Sequence, residues 1–267
     1  MISSDRVQAA ARRLHAAHGQ RERFRPLQGD LSPVTANDAY AIQDLFVALR
    51  AKERGAIVGY KIALSTPAMR RFVGVDEPQA GVMLGSTVRR SPTRVRAADY
   101  VNLIVEFEIA VQMAEDLPAA DAPFFRDRVA KAVGAVMPAL EIADDRNADY
   151  AELSRHPYDL IADNAWNEGA VLGEPVKSWL GVVDLATVIG TASINGKAVG
   201  EGRGAEAMGH PFDAVAWLAD NLAARGRSLV RGQVVITGSL VTTKTVKAGD
   251  RVKWTVAGLG TAQLAVD

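Results

Sequence analysis

Apolar residues at Val7, Ala10, Ala11, Leu14 and Ala17 recur at the spacing of one helix face, with Gln8, Arg12 and Arg13 opposite. Residues 4–18 are therefore predicted to form an amphipathic helix. A second helix is expected after Thr35, which with Asp38 three residues on resembles a capping box, along Ile42, Leu45, Phe46 and Leu49 to a stop at Gly55. Residues 1–55 thus read as an N-terminal helical lobe. From Ile57 the period shortens. Strand-like segments lie at 57–64, 81–88, 100–113, 171–173, 233–237, 251–256 and 261–266, separated by Gly and Pro. Asn195-Gly196 marks a hairpin within 191–199. Helices are expected near 123–136 and from Pro211 through Phe212, Val215, Ala219 and Leu222 to Gly226. No internal repeat or low-complexity linker interrupts the remainder, so residues 56–267 are expected to form one continuous β-rich core in an α+β chain.

Composition narrows the possible partners. With 267 residues and 48% hydrophobic content the chain can bury a sizeable core. Lys plus Arg equals Asp plus Glu at 31 each, which removes the basic footprint of a nucleic-acid or anionic-membrane binder and favours a small-molecule partner. The absence of cysteine excludes disulfide scaffolds, thiolate zinc sites, cysteine-held iron–sulfur clusters and cysteine nucleophiles. No apolar stretch approaches the roughly 20 residues that cross a bilayer. The Arg-rich opening carries Asp5 and Glu22 and reads as a solvated helix face rather than a transit peptide, so cytoplasmic residence is expected.

The candidate chemistry is acidic. Glu106 and Glu108 stand two apart in Val-Glu-Phe-Glu-Ile-Ala, and strand periodicity points both to one face; Glu141 lies in the equally apolar run Met-Pro-Ala-Leu-Glu-Ile-Ala. Acids so placed either take up protons, pair with Lys or Arg, or hold a metal ion. A bland alternative makes Glu106 and Glu108 a solvent-facing stripe on an edge strand, with Glu141 paired to an arginine. The metal reading is carried forward, and all-oxygen ligation suits magnesium or manganese better than zinc. Lys61, inside the hydrophobic run Gly-Tyr-Lys-Ile-Ala-Leu-Ser, either snorkels to solvent or, beside a metal-bound ligand, has its pKa lowered enough to exchange protons near neutrality.

Asp163-Asn164-Ala165-Trp166-Asn167 follows Ile161-Ala162 at the end of an expected strand, where the Asn164 amide can bind a substrate carboxylate or carbonyl or simply serve a turn. Ser239 is either a pocket residue or a turn serine. The run Gly200–Gly204 fits neither nucleotide-binding glycine pattern, and the four histidines form no legible metal or triad set.

Several ordered motifs agree: Gly-Tyr-Lys-Ile-Ala-Leu-Ser around Lys61, Gly-Val-Asp-Glu-Pro at 74–78, Glu-Phe-Glu at 106–108, Pro-Ala-Leu-Glu-Ile-Ala-Asp-Asp-Arg ending at Arg146, Ala-Asp-Asn-Ala from Ala162, and Thr-Gly-Ser at Thr237. Together, over nearly the whole chain, they resemble the 2-keto-4-pentenoate hydratases and 4-oxalocrotonate decarboxylases of the fumarylacetoacetate hydrolase superfamily. The resemblance implies a mixed β-roll catalytic core, a magnesium or manganese cofactor and a homo-oligomer. It also implies that Glu106, Glu108 and Glu141 are metal ligands and Lys61 the catalytic lysine, with Ser65, Ser239 and Asn164 expected at the substrate. The implied reaction is hydration of a 2-hydroxy-2,4-dienoate to a 4-hydroxy-2-oxo acid, in aromatic-compound catabolism. Asp76 is a candidate for assisting the water-addition step or else a turn residue. The alternatives are decarboxylation of a 2-oxo-3-enedioate and carbon–carbon hydrolysis of an acylpyruvate. One departure stands out: hydratases carry small residues where this chain has Trp166 and Asn167, whose bulk is expected to reshape the pocket.

Overall fold

The computed structural model describes residues 2–267. Its helices are α1 (Ser4–Gly19), α2 (Ala36–Arg54), α3 (Pro67–Val73), α4 (Arg126–Ala132), α5 (Asp159–Ala162) and α6 (Pro211–Ala223). The strands are β1 (Ile57–Ala63), β2 (Gln79–Leu84), β3 (Val88–Arg90), β4 (Thr93–Val95), β5 (Leu103–Met113), β6 (Val133–Asp144), β7 (Asn167–Leu172), β8 (Ile189–Ile194), β9 (Lys197–Arg203), β10 (Val234–Ile236), β11 (Lys244–Thr245), β12 (Arg251–Val256) and β13 (Gly260–Val266). Eight strands form one sheet in the order β2-β1-β10-β5-β6-β7-β3, with β11 also on β5; five form a second, β4-β13-β12-β8-β9. The pairs β1/β10, β3/β7 and β4/β13 are parallel among antiparallel neighbours. The class is α+β with a mixed sheet core, as expected. No helix of the described residues is long and apolar enough to cross a membrane.

Local signals explain many of the elements. α1 buries Val7, Ala10, Ala11, Leu14 and Ala17, the face its periodicity marks. The Thr35 hydroxyl accepts from the Asp38 N–H at 3.1 Å to start α2, and Gly55, at φ 85°, stops it. On α2, however, Ile42 and Phe46 are buried while Leu45 is 38% exposed. Asn195 and Gly196, both at positive φ, turn β8 into β9. The two sheets meet at Trp254 of β12, fully buried, whose indole N–H donates to the Glu108 carbonyl at 2.8 Å and whose ring lies 5.5 Å from Phe107.

Two segments differ from their sequence reading. The helix expected over 123–136 stops at Ala132, and Val133 begins β6. β6 is paired on both sides, by β5 and β7, and nearly all of it is buried, so its apolar run shows no alternation by which a local pattern could mark it as a strand. The stretch before Asp163 is helix α5, not a strand; a short apolar run fits either structure.

A buried ionic network fastens the first two helices to the chain beyond α5. Asp163 accepts from His18 of α1 and pairs with Arg146, while Glu168 pairs with Arg50 at 2.6 Å and Arg54 at 2.7 Å of α2. Burial opposes the charged imidazole, but Asp163 and then Glu168 outweigh it and hold the His18 pKa above the ordinary histidine value. Burial likewise opposes the Asp163 carboxylate, and Arg146 and His18 outweigh it, keeping its pKa below the usual range. Removing the shared anion strands the buried Arg146 and leaves His18 with Glu168 alone. Asp163→Ala is expected to lower unfolding free energy by about 3–5 kcal/mol, read as a fall in urea midpoint at unchanged slope; a loss under about 1 kcal/mol would mean the network is not stabilising.

Candidate active site

β5 lies inside the large sheet, between β10 and β6. Its period of two places Glu106 and Glu108 on one face, and the β5/β6 register sets Glu141 directly across from Glu106. One carboxylate oxygen from each of the three lies within 4.8 Å of the others. Glu108 and Glu141 are fully buried and Glu106 half-buried, so the solvent-facing edge stripe does not describe them. Each acid accepts from a neutral donor. Glu106 accepts from the Thr243 hydroxyl at 3.0 Å, Glu108 from the Gly238 N–H at 2.6 Å, and Glu141 from the Asn167 amide at 2.9 Å. The remaining oxygens, Glu108 Oε1 and Glu141 Oε2, are buried with no partner. Unpaired buried oxygens are costly, and three converging carboxylates, two of them with an unpartnered oxygen, fit a hard divalent cation.

Lys61 enters from β1. Its ammonium is 3.2 Å from Glu141 Oε1 and 3.4 Å from the Ala165 carbonyl, with the side chain 3% exposed. Glu141 therefore meets a lysine, not an arginine. Two glycines make the arrangement possible. A Cβ on Gly81 would come within 2.8 Å of the Lys61 Cγ, and Gly238, at φ 111°, would drive a Cβ to 2.5 Å from the Ser65 hydroxyl.

Burial first, then the neighbouring acids, pushes Glu108 well above the ordinary glutamate pKa. Glu141 is pushed up to about 7, mainly by burial, with Lys61 opposing the shift. Burial acts to lower the Lys61 pKa, but Glu141, Glu106 and Glu108 reverse it and hold the ammonium above the usual lysine value. The lowered lysine pKa expected from the sequence presupposed a cation among the acids; the acids by themselves act the other way.

Lys61 and Glu106 line a cavity of about 420 Å³, together with the end of β1 and the segment 239–243 that follows β10. Ser65 and Ser239 line it too; the Ser239 hydroxyl donates to the Val241 carbonyl at 2.7 Å and accepts from the Phe107 N–H at 3.2 Å. Two residues marked from the sequence are not brought there. Asn164 is buried and does not line the cavity; its amide clasps Val82, accepting from the N–H at 2.7 Å and donating to the carbonyl at 2.9 Å. Asp76 is exposed on a bend after α3 and does not line the cavity, the position of a turn residue.

Residues 60–267 match the family described as fumarylacetoacetate (FAA) hydrolase, C-terminal. The chain belongs to this family. It is 33% identical over 264 residues to a 2-keto-4-pentenoate hydratase of Paraburkholderia phymatum, covering 98% of both chains. It is 32% identical to a 2-oxo-hept-4-ene-1,7-dioate hydratase of Escherichia coli over 90% of each. Among solved structures, a 4-oxalocrotonate decarboxylase from Pseudomonas putida G7, complexed with magnesium and adipate, superposes with a TM-score of 0.90 at 27% identity, covering 100% of this chain and 99% of that one.

In this member of the fumarylacetoacetate hydrolase family the site also brings in Thr243 and Tyr150, which no sequence pattern singled out, and Asn167, marked from the sequence for its bulk alone, contacts Glu141. Asn167 and Thr243 orient two of the acids, and Tyr150 joins Trp166 in lining the cavity. Their roles come from contacts made across the fold, and an isolated Asn, Thr or Tyr carries no signal of that.

The raised carboxylate values have a definite sign. Between the ordinary glutamate pKa and about 7 for Glu141, the folded metal-free protein holds more protons than the unfolded chain, so these groups withdraw stability as pH rises through that window. A divalent ion competes with those protons. Added magnesium is therefore expected to raise the melting temperature more at pH 8 than at pH 5, measured by scanning calorimetry; equal shifts at both pH values would contradict cation binding at these acids.

Proposed function

We propose that this chain is a divalent-metal-dependent hydratase that converts 2-hydroxy-2,4-dienoates to 4-hydroxy-2-oxo acids. The observation that carries the reading is the juxtaposition of a buried ammonium with three converging carboxylates, two bearing unpartnered oxygens, against a cavity. The likeness to named hydratases over nearly the full chain supports it.

Glu106, Glu108 and Glu141 would hold magnesium or manganese, as their all-oxygen donor set suits a hard ion. When bound, the ion supplies Lewis-acid stabilisation of enolate charge. Lys61 moves the proton, its Nζ fixed beside Glu141. The 2-hydroxyl proton leaves and C5 is protonated, giving a 2-oxo-3-enoate; hydroxyl from one water then adds at C4 while C3 takes up a proton, with no redox change. Ser65 and Ser239 line the cavity and serve to orient the acid. Asp76, exposed outside it, takes no part. The second reading, decarboxylation of a 2-oxo-3-enedioate, draws on the likeness to the solved decarboxylase, since a dienolate left by loss of carbon dioxide needs the same stabilisation.

The two are separated by following 2-hydroxypenta-2,4-dienoate and 2-oxohex-3-enedioate by NMR, with magnesium and then with chelator. A 4-hydroxy-2-oxo acid formed only with metal is expected; release of carbon dioxide alone selects the decarboxylase, and inertness toward both removes the enzymatic reading. Lys61→Ala is expected to lose about 10²–10⁴ in turnover while still binding magnesium. Glu108→Ala is expected to lose the ion, and calorimetric titration showing unchanged magnesium affinity would overturn the ligand assignment.

A further inference from the structure

We propose that the cavity selects substrates with one carboxylate and an uncharged apolar tail beyond the diene, with Trp166 as the fixed wall against which the tail packs. The proposal rests on the dienoate reading above and deepens it by naming the substrate class. One hydratase relative is named for a 1,7-dioate, so the inference sets this chain apart from that protein.

Size is the first support. A volume of about 420 Å³ falls in the range of pockets that enclose drug-sized ligands, more than a five-carbon acid fills. Polarity is the second. Away from Lys61 and Glu106 the apolar wall is formed by Met69, Val73, Ile104, Leu153, Leu160 and Trp166, and the hydroxyls of Ser65, Thr66, Ser239, Thr242 and Thr243 are neutral. Lys61 is the only cationic side chain among the described residues lining the cavity, and it already faces Glu141. The other charged lining residue besides Glu106 is again an acid, the exposed Glu206. The Tyr150 hydroxyl is spent on Asp145 at 2.9 Å. A second carboxylate at the tail would therefore be desolvated without a counter-charge, whereas an alkyl or aryl tail loses nothing there.

Rigidity is the third. Trp166 is 6% exposed, and its ring is held edge-on by Phe24 at 5.4 Å and Tyr150 at 5.6 Å. It ends a turn in which Asn164, Ala165 and Trp166 all have positive φ, fastened by the Asn164 clasp on Val82. A wall fixed before the ligand arrives discriminates by shape as well as polarity. The indole N–H is buried without a partner and supplies no charge.

The test separates binding from turnover. Calorimetry with magnesium compares two saturated probes of equal length, 2-oxononanoate and 2-oxononanedioate; NMR compares hydration of 2-hydroxypenta-2,4-dienoate and 2-hydroxynona-2,4-dienoate. The monoacid is expected to bind at least about 100-fold more tightly than the diacid, and the nine-carbon dienoate to exceed the five-carbon one at least about tenfold in kcat/KM. Trp166→Ser is expected to weaken the monoacid about tenfold, chiefly through KM, with Trp166→Phe restoring it. Should Trp166→Ser not fold, Glu206→Lys on the exposed rim provides the second variant, and it is expected to narrow the gap by favouring the diacid. Equal or tighter binding of the diacid to the unaltered protein overturns the proposal. If the monoacid binds preferentially and neither dienoate is hydrated, tail selection stands and the hydratase reading falls.

Discussion

The structure turns on the register between β5 and β6. That pairing places Glu141 opposite Glu106, with Glu108 on the same face two residues further, and a slip of one residue would send the β6 carboxylate to the other side of the sheet. In register, three acids converge where burial disfavours their charge, and one buried lysine offsets them only in part, so two carboxylate oxygens remain unpartnered. The surrounding core tolerates this because the strands are fixed from both sides and because Trp254 of the second sheet locks the Glu108 backbone. Local frustration held in place by global packing is the usual mark of a site built for a ligand.

A six-residue stretch, 163–168, carries much of the support. Asp163 reaches α1, Asn164 clasps β2, the Ala165 carbonyl meets the lysine, Trp166 faces the cavity, Asn167 orients Glu141, and Glu168 is held by two arginines of α2. Between them these residues reach α1, α2, β1, β2 and β6. The N-terminal helices thus act on the site at one remove, through a buried salt network rather than by supplying residues to the cavity. The same stretch contains Trp166 and Asn167, so one wall of the cavity and the support of one acid are adjacent in the chain.

The sequence made legible whatever depends on neighbours along the chain. The α1 face, the Thr35 cap, the Asn195-Gly196 turn and the shared face of Glu106 and Glu108 all follow from spacing of three to four or of two. Glu141 could be named as a candidate because an acid in an apolar run is conspicuous, but its place opposite Glu106 is a long-range fact that no local pattern contains. β6 shows no strand signal because, apart from Glu141 and its terminal Asp144, it is a buried apolar run without alternation. The sequence leaves Asn164 open between two roles, because an amide at the end of an element looks the same whether it will clasp backbone, as here, or face a ligand. His18 showed nothing, since both its partners lie about 150 residues further along, at Asp163 and Glu168.

The most direct measurement is an anomalous difference map from a crystal of this protein grown with manganese. One strong peak is expected among the carboxylates of Glu106, Glu108 and Glu141, with the Lys61 ammonium beside it. A map in which the metal sits elsewhere, or in which the three side chains turn apart and pair with arginines, would contradict the reading of these acids as a metal site.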